Sequence, residues 1–392
     1  MIKIEQYFDQ AQWQKFTKAS EGRQTPFLVV DLSRIKTKFE EMVELFPKAK
    51  IHYAMKASPA VEVIELLAGL GSNFDCASIY ELDRVLSVGV EPERISYGNT
   101  IKKATHVKYA YDKGIRLYAT DSKADLQNIA EQAPGSKIFV RILVQGSETA
   151  EWPLSRKFGC HPDMAIDLLV QAKQLGLEPY GISFHVGSQQ KDVAAWDDAL
   201  AKVKYMSDWM KYEEGIKLKM INLGGGFPTN YISEVNPIKV YADEINRYLA
   251  EDYADEEDMP EIILEPGRSL VGGSGVLVSE VVLISRKSRT DLTRWVYTDV
   301  GLFQGLIETL GEAIKYPVYT PKMETSTDAG TVVLAGPTCD STDIRYEETN
   351  YKLPQELEIG DRIYWLTTGA YTNSYSSVEF NGFPPLEVVY ID

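Results

Sequence analysis

Eight short apolar or β-branched runs, separated by helix-like stretches, lie between residues 51 and 266 and constrain the fold more than any other feature of this sequence. They fall at 51–56, 73–77, 94–97, 116–120, 137–142, 181–186, 220–223 and 261–265. Between them are segments such as AVEVIELLAGLG and MAIDLLVQAKQLG, with apolar residues at helical spacing and glycine at the end. Eight strands alternating with helices over about 220 residues is what a closed (β/α)8 barrel of the TIM type requires. A doubly wound open sheet usually has fewer strands and a G-x-G-x-x-G turn after the first. No such turn follows Lys56.

After Gly267 the texture changes. SGVLVSEVVLISRKS, RWVYTDVG, GTVVLAGPTC and DRIYWLTTGAY are rich in Val, Ile and Tyr and read as an antiparallel β domain. The early run TPFLVVDL, residues 25–32, reads as a strand of the same domain. The expected organisation is a barrel over 33–272, with 1–32 and 273–392 forming a β-sandwich or barrel-like domain. Residues 251–260, EDYADEEDMP, read as a solvated acidic connection, and 320–330 as a weaker one.

The formal net charge of -16 argues against nucleic acid and anionic membranes as partners, since both need clustered positive charge. It suits a cationic substrate, although solubility alone is the plainer reason for an acidic surface. The first sixteen residues do not read as a secretory signal, and no apolar run is long enough to span a bilayer. Three cysteines, Cys76, Cys160 and Cys339, suit a reducing cytoplasm rather than a disulfide framework. Four histidines without close Cys/His spacing give no zinc pattern, and no metal is expected.

In such a barrel the active site lies at the C-terminal ends of the strands. Those ends carry Lys56, Asp75, Asn99, Asp121, Arg141, His185, residues 224–226 and Glu265. For Asn99 and Asp121, satisfied loop residues are the better reading. Lys56 ends its run. A rim lysine can snorkel to solvent, but partial desolvation there would make its amine nucleophilic toward a carbonyl. NLGGGFP, residues 222–228, places three glycines after a strand, where backbone N–H groups can approach an anion. Arg268 of LEPGRSLV could pair with a phosphate, and Glu265 could accept from a ring nitrogen. FHVGSQ offers His185 for stacking and Ser188 for phosphate. A lysine, a phosphate cradle, an acid and a flat histidine together describe a site for pyridoxal 5'-phosphate.

The motifs YAMKA, NFDCAS, YGNTIK, RKFGC, FHVGSQ, GGGFP, EPGRSLV, GPTCDSTD and GAYTNSYSSVEFNGF appear in this order. As a set they resemble the group IV, fold type III pyridoxal-phosphate decarboxylases of basic amino acids, the ornithine decarboxylase group above all. The resemblance covers nearly the whole chain. It implies that Lys56 holds the cofactor as a Schiff base, that Glu265 pairs with the pyridine nitrogen and that His185 stacks on the ring. Ser188, Gly225, Gly226, Arg268 and Tyr371 would hold the phosphate. Asp75 and Arg141 would support the lysine and the cofactor's hydroxyl side. The family forms head-to-tail homodimers with shared sites, so Cys339 would protonate the α-carbon from the partner's β domain. Asp340 would bind the distal amine. Phe380, with Phe383, would line the substrate pocket, although core packing is nearly as good a reading for both. Lys157 and Asp343 match a pair that bridges subunits.

The implied reaction is decarboxylation of L-ornithine to putrescine and CO2, with L-lysine to cadaverine as a second activity. Glu308 or Glu312 would complete the distal-amine site, unless Gly311 occupies the position. Diaminopimelate decarboxylase tends to carry Cys-Glu where this chain has Cys339-Asp340. Arginine is disfavoured because the large biosynthetic arginine decarboxylases of this fold are much longer. Inactive regulators lose the lysine or the cysteine, single-domain barrels lack the β domain, and alanine racemase lacks GPTCDS. For Cys76 and Cys160 the reading is that of small buried hydrophobes.

Overall fold

The computed structural model describes residues 1–145, 149–152, 156–254 and 259–392. Part of the expected acidic connection, residues 255–258, therefore lies outside the described residues. The chain divides into two compact units: Lys36–Pro228 with Asn236–Ser269, and Met1–Ile35 with Thr229–Val235 and Leu270–Asp392. The segment Thr229–Val235, expected within the barrel, belongs to the second of these.

The first strand, β1 (Phe27–Asp31), belongs to the β unit. Next come the barrel strands β2 (Ala49–Ala54), β3 (Asn73–Cys76), β4 (Ile95–Tyr97), β5 (Leu117–Thr120) and β6 (Lys137–Arg141). A short strand β7 (Ala150–Trp152) precedes β8 (Glu178–Ser183), and β9 (Ser188–Gln190) pairs back onto β7 as an antiparallel ribbon. Strands β10 (Met220–Asn222) and β11 (Glu261–Leu264) complete the set. Strands β2–β6, β8, β10 and β11 pair in parallel and close on themselves. These are the eight runs visible in the sequence. Parallel strands covered by helices are buried on both faces, so they read as continuous apolar runs. Ala119, Phe139, Met220 and Ile263 form a buried cluster in the barrel unit, with Leu117 and Tyr180 against it.

Local sequence explains the helices between them. Val63, Ile64 and Leu67 give the helix Val61–Gly69 its buried face. Ser78 and Ser122 cap the helices Ile79–Ser87 and Lys123–Gln132, each side chain accepting from the N–H three residues on. Pro162 opens the helix Pro162–Gln174, where its missing N–H costs nothing.

In the β unit, β12 (Gly275–Ser285), β13 (Arg294–Thr298), β14 (Val318–Tyr319), β15 (Ala329–Ala335), β16 (Ile344–Arg345), β17 (Lys352–Pro354), β18 (Arg362–Leu366) and β19 (Glu387–Ile391) join β1 in one nine-stranded sheet. TPFLVVDL does supply a strand, with β1 antiparallel to β12. The sheet is antiparallel apart from two parallel pairings, β1 with β19 and β13 with β15. Among the described residues, helical content there is confined to short turns, the N-terminal helix Gln10–Ser20 and the ends of two helices shared with the barrel unit, Leu32–Leu45 and Arg268–Val271.

Candidate active site

Lys56 does not end a strand. The strand stops at Ala54, and Lys56 sits in the 3-10 turn Met55–Ala57 that follows. The turn lifts the side chain into the exposed mouth of the barrel, so Lys56 is exposed rather than partly enclosed. Ala54 N–H donates to Pro266 O at 3.0 Å, and Glu265 N–H donates to Gly224 O at 2.8 Å. A Cβ on Gly267 would fall 2.9 Å from that of Ala57. The lysine turn, the Glu265 loop and the glycine turn are thus stitched together through backbone before any side chain is considered.

Asp75 and Glu265 are half-buried beside the lysine. Enclosure, then the Glu265 charge, pushes the Asp75 carboxyl well above the usual range, while Lys56 pulls it back. Glu265 is also raised by enclosure, opposed by the Asn222 hydrogen bond and by the charges of Lys56 and Arg141. Two carboxylates facing one lysine and one arginine in a confined mouth form a strongly polarising group. Arg141 also lies over the Phe158 ring, 5.1 Å from its centroid. Gly98 makes room for Asp75, since a Cβ there would overlap its carboxylate.

His185 Nδ1 accepts Gly187 N–H at 3.0 Å. Enclosure and the charges of Lys56 and Arg141 hold its pKa well below the usual value. The ring is therefore neutral, and its remaining proton is on Nε2. Gly224 (φ 64) and Gly226 (φ 105) adopt backbone that side chains rarely take. A Cβ on Gly225 would meet Glu265 O at 2.4 Å. Arg268 is 4% exposed, and its Nε donates to Ser188 Oγ at 3.2 Å. Gly225 and Gly226 lie on the turn stitched to the Glu265 loop, Ser188 opens β9, which bonds that turn through Gln190 N–H to Gly226 O at 2.9 Å, and Arg268 opens the short helix Arg268–Val271. Asn99 and Asp121 are satisfied loop residues: Asn99 donates to Ala77 O, and Asp121 accepts from Gly159 N–H.

Cys339, Asp340, Asp343, Tyr371 and Phe380 belong to the β unit. Cys339 is an exposed free thiol, and its N–H donates to Asn381 Oδ1 at 2.8 Å. Asp340 Oδ1 accepts from Thr342 N–H at 2.9 Å and from its hydroxyl at 2.7 Å, which holds the carboxyl below its usual range. Tyr371 is half-buried with φ 55. The Phe380 ring lies tilted against that of Phe303 with centroids 4.6 Å apart, and Phe383 is half-buried.

The Asp343 side chain is only 1% exposed, accepting from Leu302 N–H and Thr338 and pairing with Arg345, which is fully enclosed. These contacts lie within its own unit. Glu312 accepts from Glu348 N–H at 2.7 Å and from the Thr349 hydroxyl. Glu308 is 3% exposed, and Gly311 takes left-handed backbone in the same segment. Cys76 and Cys160 are buried, as small hydrophobes would be.

Sequence reading missed Asn222, whose Nδ2 donates to Glu265 Oε1 at 2.5 Å while its Oδ1 accepts Gly224 N–H at 2.8 Å. It stood inside NLGGGFP, where only the glycines drew notice. Glu81 was also missed. Its Oε2 accepts Ala77 N–H at 2.6 Å, and it feels the Lys56 charge. Nothing in the sequence distinguished it from an ordinary first-turn acid.

A lysine on the rim of a closed barrel, rather than in a doubly wound sheet, is an arrangement that can hold pyridoxal phosphate. Residues 32–272 match the family described as pyridoxal-dependent decarboxylase, pyridoxal binding domain, and the chain belongs to that family. It is 33% identical to a lysine/ornithine decarboxylase of Selenomonas ruminantium, over 92% of this chain and 88% of that protein. It is 32% identical to the ornithine decarboxylase of Saccharomyces cerevisiae, over 95% and 82%. Antizyme inhibitor 2 of Xenopus laevis is 32% identical over 93% and 80%. The crystal structure of the Paramecium bursaria Chlorella virus arginine decarboxylase superposes with a TM-score of 0.86 at 29% identity, covering 97% of this chain and 100% of that one. An arginine decarboxylase of this size therefore exists, and length alone does not argue against arginine. The donor set fits pyridoxal phosphate: an amine, an acid facing it, a neutral imidazole and an enclosed arginine beside a glycine turn.

Proposed function

We propose that this chain is a pyridoxal-phosphate-dependent carboxy-lyase that converts L-ornithine to putrescine and CO2, with L-lysine to cadaverine as a second activity. The observation that carries the reading is the mouth in which Lys56, Asp75, Arg141 and Glu265 act on one another's charge. The relatives named for ornithine and for lysine/ornithine support the substrate class. The cofactor, when bound, supplies the electron sink that lets the carboxylate leave as CO2.

The residues divide the remaining work. Lys56 is the amine that would hold the cofactor covalently and give way to the substrate's α-amine. Glu265 would keep a proton on the pyridine nitrogen, and Asn222 fixes its direction. Neutral His185 would offer its ring face. Gly225, Gly226, Ser188, Arg268 and Tyr371 would hold the phosphate through N–H, hydroxyl and guanidinium donors. Asp75 and Arg141 would set the charge around the lysine. Cys339 would deliver the proton to the α-carbon from a partner subunit's β unit, with Asp340 and Phe380 toward the distal amine. Such a protein works as a homodimer with shared sites, in the cytoplasm. No helix among the described residues is long and apolar enough to cross a membrane.

An inactive regulatory role is less well supported, because Lys56, Glu265 and Cys339 are all retained. Product analysis with ornithine, lysine, arginine and diaminopimelate at equal concentration tests the substrate. Putrescine as the main product is expected, and agmatine as the main product would overturn the assignment. Mixing Lys56→Ala chains with Cys339→Ala chains and measuring putrescine tests sharing. Recovery toward about a quarter of wild-type activity is expected for one repaired site per mixed dimer, and no recovery would count against it.

A further inference from the structure

The loop that carries Cys339 is fastened at both ends. Below the thiol, Asp343 accepts from Leu302 N–H at 2.7 Å and from the Thr338 hydroxyl at 2.7 Å. Gly301 and Gly336 leave it space, for a Cβ on either would overlap its carboxylate. From Leu302 the contacts continue through Phe303, whose ring meets Phe380 and whose carbonyl accepts Ser377 N–H at 2.9 Å. One residue past Phe380, Asn381 Oδ1 takes the Cys339 N–H at 2.8 Å. Three loops thus close into a ring, and Asn381 is the link that joins the Phe380 loop to the cysteine.

The Asn381 backbone is shaped for this. It sits at φ 52 in a tight turn closed by Gly382 N–H to Glu379 O at 2.8 Å. Asparagine tolerates that left-handed conformation better than most side chains. The side chain is exposed, so the bond contributes little to folding and its effect is local.

We propose that Asn381 is a positioning residue for proton delivery by Cys339. By holding the Cys339 amide it fixes the direction from which the thiol approaches, and it couples that direction to the Phe380 loop. The proposal rests on the reading of Cys339 as the proton donor. When the α-carbon is not protonated after CO2 leaves, the proton goes instead to the carbon that was the cofactor's aldehyde. The carbon–nitrogen bond to the substrate is then hydrolysed. Ornithine leaves as CO2 and 4-aminobutanal, its carbon oxidised, and the cofactor leaves as pyridoxamine phosphate, its carbon reduced. The ratio of diamine to amino aldehyde therefore reads the positioning directly.

The experiment compares Asn381→Ala, Asn381→Asp and Cys339→Ala in the holoenzyme with ornithine, measuring both products, KM and the absorbance of bound cofactor. Asn381→Ala should lower kcat roughly tenfold to a hundredfold and raise the aldehyde fraction several-fold, with the resting cofactor absorbance before ornithine is added unchanged and KM within about twofold. Asn381→Asp keeps an acceptor oxygen and should restore the product ratio, a rescue that a merely structural role would not give. If Cys339→Ala diverts product and Asn381→Ala does not, the positioning role is wrong while the donor stands. If Cys339→Ala leaves the ratio at wild type, the donor reading fails and the proposal with it.

Discussion

Asn222 joins Glu265 to the glycine turn: its amide nitrogen donates to the carboxylate at 2.5 Å, and its carbonyl oxygen accepts Gly224 N–H at 2.8 Å. Because the oxygen is committed to an N–H, the nitrogen must face the acid. Asn222→Ala should lower kcat by about 10- to 100-fold, the worth of a hydrogen bond to a charged group, with KM little changed. Asn222→Asp sets a like charge against Glu265 and should lose at least as much. Steady-state kinetics check both, and a change confined to KM would sink the assignment.

Glu265→Ala should cost turnover more than cofactor retention. A loss of about 10²–10³ in kcat, with cofactor affinity within a few-fold, is expected from titration of the apoenzyme followed by initial rates.

Lys56→Ala should abolish covalent retention. After borohydride treatment and denaturation, the wild type should keep the cofactor's absorbance and the variant should keep none.

Asp75 gives a pH-dependent stability. Its folded pKa is raised by enclosure and by Glu265. The folded apoprotein therefore holds a proton that the unfolded chain has released, and stability falls as pH rises from about 4 through the folded value. Asp75→Asn removes that cost. The variant apoprotein should melt higher at pH 7 to 8, by roughly 2–4 °C per kcal/mol relieved, and the gain should shrink as the pH is lowered toward 5. An equal gain at every pH would contradict it.

Asp343 pairs with a fully enclosed Arg345. Asp343→Ala leaves that charge uncompensated and should destabilise the β unit by about 3–5 kcal/mol, read by denaturant unfolding. Unaltered unfolding would contradict it.

The barrel was legible because each of its strands is a continuous apolar run ending in a residue of distinct chemistry. Lys56, Glu265 and the glycines stood out because few other roles suit them at a rim. Asn222 and Glu81 did not, because their meaning lies in which carboxylate or lysine they act on, and pairing across dozens of residues leaves no local pattern. Lys56 itself was misplaced by two positions, since a single 3-10 turn after an apolar strand has no sequence signature of its own. The parallel pairing of β1 with β19 was equally invisible, as it joins residues 27–31 to 387–391.

That pairing also sets an order of events during synthesis. Strand β1 is made among the first residues, yet both of its neighbours, β12 and β19, come from the last third of the chain. On a ribosome the barrel strands are all made before either neighbour emerges, while β1 waits as an unpaired apolar strand. The β sheet is therefore the late-maturing part of this protein, and its opening strand is the segment most in need of a chaperone.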